Sequence, residues 1–315
     1  MKKPVMALLV CILTLTFCLT GTVYAQEDEG LPEPGITPDS PFYFADRWME
    51  RLVLRFTFGE EAKAQKALQY AGEKLAEVDA MLSRNEVRAT IQATNEYGNY
   101  LAIATRATGQ AGQKGTHTAE MVALATSKHL GILGDMADNV PQNAEEAMAQ
   151  TRERARNCQE TALRAMAQAD PEGAIQINLR LMEQQLNRVR VRAEERETTK
   201  VQEGLHEFGR LSNLGGEISQ IATSLGQGTT VDRLVGQATA NHLAVLAEVH
   251  ERVQEQAQQA TEDAIQACVE NHERVVASLK EKHMLGQIPE EPPLPDEISE
   301  KIRQRTSTGG SAKGP

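Results

Sequence analysis

Between residues 59 and 285, apolar side chains return every three or four positions, and no alternating β-branched run of strand length interrupts them. The pattern predicts an all-α protein. Leu68, Ala71, Leu75, Val78 and Leu82 mark the inward stripe of one helix, and Val87, Ile91, Tyr97 and Leu101 that of a second. A turn at residues 83–86, with Ser83 or Asn85 as N-cap, would join them as a hairpin. After a glycine-containing loop at 109–116, further helices are expected over 117–139, 141–168, 171 into the 220s, and 230 to about 283, with a last interior loop at 226–229. Pro141 and Pro171 suit a first helical turn, and Asp170 is a ready N-cap. The expected architecture is an elongated antiparallel bundle of long helices.

The strongest internal signal is a duplication. "ATSKHLGILGDMADNVPQNAEEA" (residues 125–147) aligns without a gap to "ATANHLAVLAEVHERVQEQAQQA" (residues 238–260), with eight of 23 positions identical. The shared positions include His129/His242, Leu130/Leu243, Leu133/Leu246 and Val140/Val253. Small residues such as Gly131, Gly134, Ala244 and Ala247 would let helix backbones approach closely.

The stretch "PGITPDSPFYFADRWMERLVLRFTF" (residues 34–58) holds four of the six Phe and the single Trp of the chain. Its three prolines make an extended lead, and Ser40-Pro41 reads as the start of a helix. Phe44, Trp48, Leu52 and Phe56 then recur every four residues, broadened by Met49, Val53 and Leu54, while Asp46, Arg47, Glu50, Arg51 and Arg55 take the other side. The favoured expectation is closure: the apolar face packs on the following hairpin and Trp48 is buried. The other reading is docking onto a protein partner or a membrane surface, for which the arginines are suited.

This stretch and its continuation to Leu68, a Pro-Gly-x-x-Pro-x-Ser lead, an aromatic helix bearing Arg and Glu, a Phe-Thr step and a Lys/Ala-rich hairpin, resembles the opening of the exported bacterial and archaeal proteins described as domain of unknown function 5667. The resemblance covers about the first third of the chain beyond its leader. It implies an exported helical protein and brings no catalytic residues.

At the N-terminus, Lys2 and Lys3 precede an apolar run over about residues 5–19 and a small-residue site ending in Ala25. This reads as a secretory signal peptide cleaved after Ala25, which places the protein in the cell envelope or outside the cell. Organisation then follows as leader (1–25), proline-rich lead (26–40), aromatic helix plus hairpin (41–110), duplicated bundle (111–284), and a proline-rich linker with a polar tail (285–315). The chain carries 33 basic against 44 acidic side chains, a formal charge of −11, which argues against nucleic acid as a partner.

Candidate chemistry is sparse. There is no nucleophile elbow, phosphate loop or dinucleotide fingerprint, no His-Glu-x-x-His, and only one Glu-x-x-His, Glu203/His206. No cofactor is expected. His129 and His242 occupy equivalent inward positions and read as core residues, with a shared metal site as the alternative; Cys268 and His272 lie four apart and form a weaker pair of candidate ligands. Cys158 and Cys268 lie near the ends of the two repeats, and in an oxidising compartment a disulfide between them is expected. The functional expectation is a non-catalytic exported protein that works by protein contacts, with a metal- or ligand-binding envelope stress protein as the alternative.

Overall fold

A computed structural model describes residues 31–110, 115–282 and 299–300 of the 315. The expected leader with its cleavage at Ala25 lies outside the described residues, as does nearly all of the expected linker and tail. Among the described residues are nine α-helices and no strand: α1 (Tyr43–Phe56), α2 (Glu60–Ser83), α3 (Val87–Gln110), α4 (Thr116–Asp135), α5 (Glu145–Ala167), α6 (Pro171–Glu194), α7 (Thr198–Ser224), α8 (Gly228–Arg252) and α9 (Glu255–Glu281). Two 3-10 turns, Met136–Asn139 and Gln142–Ala144, connect α4 to α5. The protein is an all-α bundle.

Two segments expected as single helices are each divided. The first breaks at residues 195–197, where Arg196 adopts a φ of 60°. The Glu197 N–H donates to Arg192 O at 2.9 Å and the Arg196 N–H to Ala193 O at 3.1 Å, so the left-handed residue closes α6 and reverses the chain into α7. The same device closes α2, with Asn85 at φ 57° and the Glu86 N–H donating to Met81 O at 2.9 Å. Asn85 therefore ends one helix instead of capping the next. Gly226, at φ 76°, repeats the arrangement after α7. The second division lies between α8 and α9, where Val253 is extended (φ −76°, ψ 151°). At Asp170 the local reading holds: its carboxylate accepts the Gly173 N–H at 2.9 Å, with Pro171 in the first turn of α6, whereas Pro141 is extended (φ −64°, ψ 147°) ahead of its 3-10 turn and α1 begins at Tyr43, past Ser40-Pro41.

The helices form two four-helix units with the same neighbours. In the first, α2 pairs with α3 and α4 with α5, while α3 packs on α5 and α2 on α4; α6 to α9 repeat each of these pairings in order. Aligned residues behave alike. Val140 is extended between α4 and α5 (φ −82°, ψ 118°) as Val253 is between α8 and α9. Thr126 and Thr239 both turn their hydroxyls back to the carbonyl four residues earlier, at 2.7 and 2.9 Å. Leu133 and Leu246 are both fully buried. Many buried alanines, among them Ala64, Ala71, Ala93, Ala104, Ala155 and Ala162, allow close helix approach.

Charged side chains stitch α5 of the first unit to α7 of the second. Arg210 reaches Glu160 at 2.8 Å and Glu153 at 3.2 Å, Arg164 reaches Glu217 at 2.7 Å, and Arg156 pairs with Glu207. Arg192 of α6 adds a bond to Asp135 of α4 at 2.7 Å.

The expected disulfide is not formed: Cys158 and Cys268 are both free and buried. The Thr105 hydroxyl of α3 donates to Cys158 Sγ at 3.0 Å, so this thiol faces the interior of its own unit. Cys268 on α9 is fully buried in the other unit. Their equivalent places in the two repeats put them in separate parts of the core and not against each other. Burial pushes the two thiols up, to about 11 and about 12.

Candidate functional site: an outward aromatic helix on a charged latch

α1 is attached by its polar side. The residues it turns toward the bundle are Tyr43, Glu50 and Leu54, flanked by the half-buried Asp46 and Arg47. The apolar face predicted from the four-residue spacing forms as expected but points away: Phe44 is 74% exposed, Trp48 62% and Phe56 63%, with Met49 and Val53 beside them and Leu52 half-buried. Phe42 and Phe58, just outside the two helix ends, are exposed as well, Phe58 at 86%. The closure expectation is overturned. The α2 stripe of Leu68, Leu75, Val78 and Leu82 is covered by α3 and α4 instead.

The orientation has an electrostatic cause. Lys74 of α2, with a fully buried side chain, places Nζ 2.7 Å from Glu77 Oε1, 2.9 Å from Glu50 Oε1 and 3.5 Å from Asp46 Oδ2. The Tyr43 ring lies 5.0 Å from the same ammonium, a cation–π contact. The Tyr100 hydroxyl of α3 donates to the other Glu50 oxygen. Arg47 pairs with Glu96 of α3, and Arg51 approaches the second Glu96 oxygen at 3.5 Å. Asp39 in the lead binds Arg84 at the end of α2 at 3.2 Å. Turning α1 over would take Glu50 and Asp46 away from Lys74 and both arginines away from the buried Glu96, which outweighs covering the aromatics.

Three carboxylates thus surround one ammonium, and titration reflects this. Burial raises Glu77 to about 7: Lys74 opposes the shift and Glu50 adds to it. Burial alone would lower Lys74, but its bonds to Glu77 and Glu50 win and hold it above its ordinary value. Tyr70, whose ring lies tilted against that of Tyr100 at 5.4 Å, is pushed to about 12, chiefly by burial. The sequence reading missed this latch. Its signal was present in Lys74 and Glu77, two charges set among Ala71, Leu75 and Val78 on a stripe that is otherwise apolar.

The latch also sorts charge. Asp46 and Glu50 turn inward, whereas Arg51 and Arg55 are exposed along one edge of the aromatic face.

A concave feature lies at the junction of the two units, a cleft of about 480 Å³ between α4, α5, α6 and α7. Its walls carry Arg152, Arg156, Arg188 and Arg192 over an apolar floor that includes Leu181 and Leu211. Arg188 lies over Gly131, where a β-carbon would come within 2.7 Å of its guanidinium. Arg156 and Arg192 are already engaged by acids.

The candidate ligands do not converge. His129 is buried beside Tyr97 of α3, its Nδ1 3.3 Å from the hydroxyl, and His242 is buried edge-on to Phe208 of α7 at 5.5 Å. Each belongs to its own unit. Burial lowers both to about 4, with Lys128 contributing at His129, so both are neutral at pH 7. His272 shares a hydrogen bond with Thr239 at 3.1 Å. Among the described residues, no three His, Cys, Asp or Glu side chains are placed to hold a metal ion, and no helix is long and apolar enough to cross a membrane.

Comparison with curated proteins and with solved structures finds no match. A protein family does match, and over residues 35–256, from the proline-rich lead through the first four-helix unit and α6 to α8 of the second, ending at the start of α9. The match extends well beyond the opening third on which the resemblance rested. The latched aromatic helix, the first four-helix unit and α6 to α8 therefore all fall within the matched stretch, and the chain belongs to the family described as domain of unknown function (DUF5667).

Proposed function

We propose that this is an exported, non-catalytic helical protein that works by contact, and that α1 is the surface it offers. The observation that carries the reading is the orientation of α1, with buried ion pairs toward the bundle and Phe44, Trp48 and Phe56 toward solvent. Five aromatic side chains of roughly 150–250 Å² each, all more than three-fifths exposed, make an apolar patch at the upper end of what a monomeric surface normally carries. Such a face is stable in water only at a cost that a binding partner removes. The bundle serves as its rigid mount. The shared neighbour pattern and the aligned His129/His242 and Val140/Val253 positions support an origin of the mount by duplication of a four-helix unit.

The test separates docking from folding. Replacing Phe44, Trp48 and Phe56 together by alanine should leave the melting temperature of the protein unchanged while moving it from the particulate to the soluble fraction of producing cells. A large fall in melting temperature, or a native Trp48 emission that is blue and resists iodide, would show that the face is covered within the chain.

A further inference from the structure

We infer that the occupant of the α1 face is the surface of a lipid bilayer carrying anionic headgroups; this deepens the docking reading above and depends on it. Three features select this occupant.

The first is shape. The apolar side chains cover the side of α1 opposite the bundle and continue onto Phe42 and Phe58 at its ends, so the patch is a ridge and not a groove. A ridge of large aromatic side chains enters a deformable medium without a preformed complement, and such side chains favour the boundary between headgroups and acyl chains. The junction cleft of another copy does not offer the complement: Arg152, Arg156, Arg188 and Arg192 on its walls would face Arg51 and Arg55 beside the ridge.

The second is length. α1 has 14 residues, about 21 Å at the helical rise, which is too short to span and suited to lying in the plane of the surface.

The third is charge. The acids of α1 are turned in to Lys74, and the basic groups at the edge of the aromatic face are Arg51 and Arg55. Two copies meeting through this face would bring Arg55 of each together, with Glu96 shared between Arg47 and Arg51, whereas anionic headgroups complement the exposed Arg51 and Arg55. The chain as a whole carries a net charge of −11, so its remainder is repelled from the same surface, contact is confined to α1 and the bundle stands away from the lipid.

Trp48 reads the outcome locally, because it is the single Trp of the chain. Full-length protein is mixed with vesicles of phosphatidylglycerol and phosphatidylcholine, and separately with vesicles brominated along the acyl chains. Trp48 emission, red-shifted and quenched by iodide in buffer, should shift to the blue on vesicles, lose its iodide quenching and become quenched by the brominated chains. Phe44→Ala with Phe56→Ala should weaken partition by at least roughly a hundredfold. Arg55→Gln should weaken it by roughly fivefold, and only on vesicles that contain phosphatidylglycerol. Iodide-accessible Trp48 that does not respond to either vesicle would overturn the lipid assignment and leave the docking reading standing. Iodide-shielded Trp48 in a dimer without lipid would identify a second copy as the occupant and overturn it too. Shielded Trp48 in a lipid-free monomer would overturn both readings.

Discussion

Lys74 on α2 and Glu50 on α1 meet at 2.9 Å with almost no solvent at either side chain, and this bond holds an amphipathic helix to the bundle by its charged side. Buried pairs of this kind contribute little relative to an apolar pair of the same shape, yet removing one member leaves the other charged and unsolvated. The bond therefore specifies orientation more than it adds stability.

Lys74→Met tests that asymmetry. It strands Glu50 and Glu77, and the expected loss is about 3–5 kcal/mol in chemical denaturation, accompanied by protease cleavage between α1 and α2. Adding Glu50→Gln and Glu77→Gln should recover most of the loss. An additive triple variant would mean that Lys74 does not organise the two acids.

Stability should depend on pH in two opposed ways. Glu77 is raised in the folded chain to about 7 by burial near Glu50, against Lys74, so the folded state holds a proton that the unfolded state releases. Its contribution is full below pH 4.5 and is lost as pH rises toward 7. His129 and His242 are lowered to about 4, so their contribution is full above the ordinary histidine range and is lost as pH falls from about 6.5 toward 4. Glu77→Gln should remove the first slope and keep the second; denaturation midpoints across pH 4 to 8 read both.

Cys158 and Cys268 should remain thiols in protein isolated under oxidising conditions. Both are buried, with pKa values raised to about 11 and about 12, so alkylation at neutral pH should be slow until denaturant is added. A peptide map showing them joined would contradict the placement of the two units.

At Arg196, a non-glycine residue is held at φ 60°. Glycine relieves that conformation, so Arg196→Gly should stabilise the protein by about 1 kcal/mol, while Arg196→Val should destabilise it by a similar amount or more. No change with either substitution would indicate that the turn relaxes.

The helical content, the first hairpin and the Asp170 cap were legible because each rests on local spacing and capping chemistry. The breaks at 195–197 and 253–254 were not, because they carry no Gly or Pro: a left-handed Arg196 and an extended Val253 are imposed by the return of each helix onto its neighbour. Amphipathicity in α1 was legible, but its direction was not. Periodicity records that a helix has two faces, and which one turns inward depended here on Lys74, Glu77 and Glu96, which belong to other helices. The cysteines misled for a related reason, since repeat equivalence gives matching surroundings and not mutual contact.

The ion pairs between α5 and α7 carry a mechanical implication. Arg164–Glu217 and Arg210–Glu153 are partly open to water, so dissolved ions weaken them while the alanine-rich interior of each unit is unaffected. The seam between the units is then the salt-responsive part of an apolar core that otherwise runs continuously through both. Spectroscopic distances between probes in α3 and α9 would become broader in distribution as salt rises, without any helix unfolding.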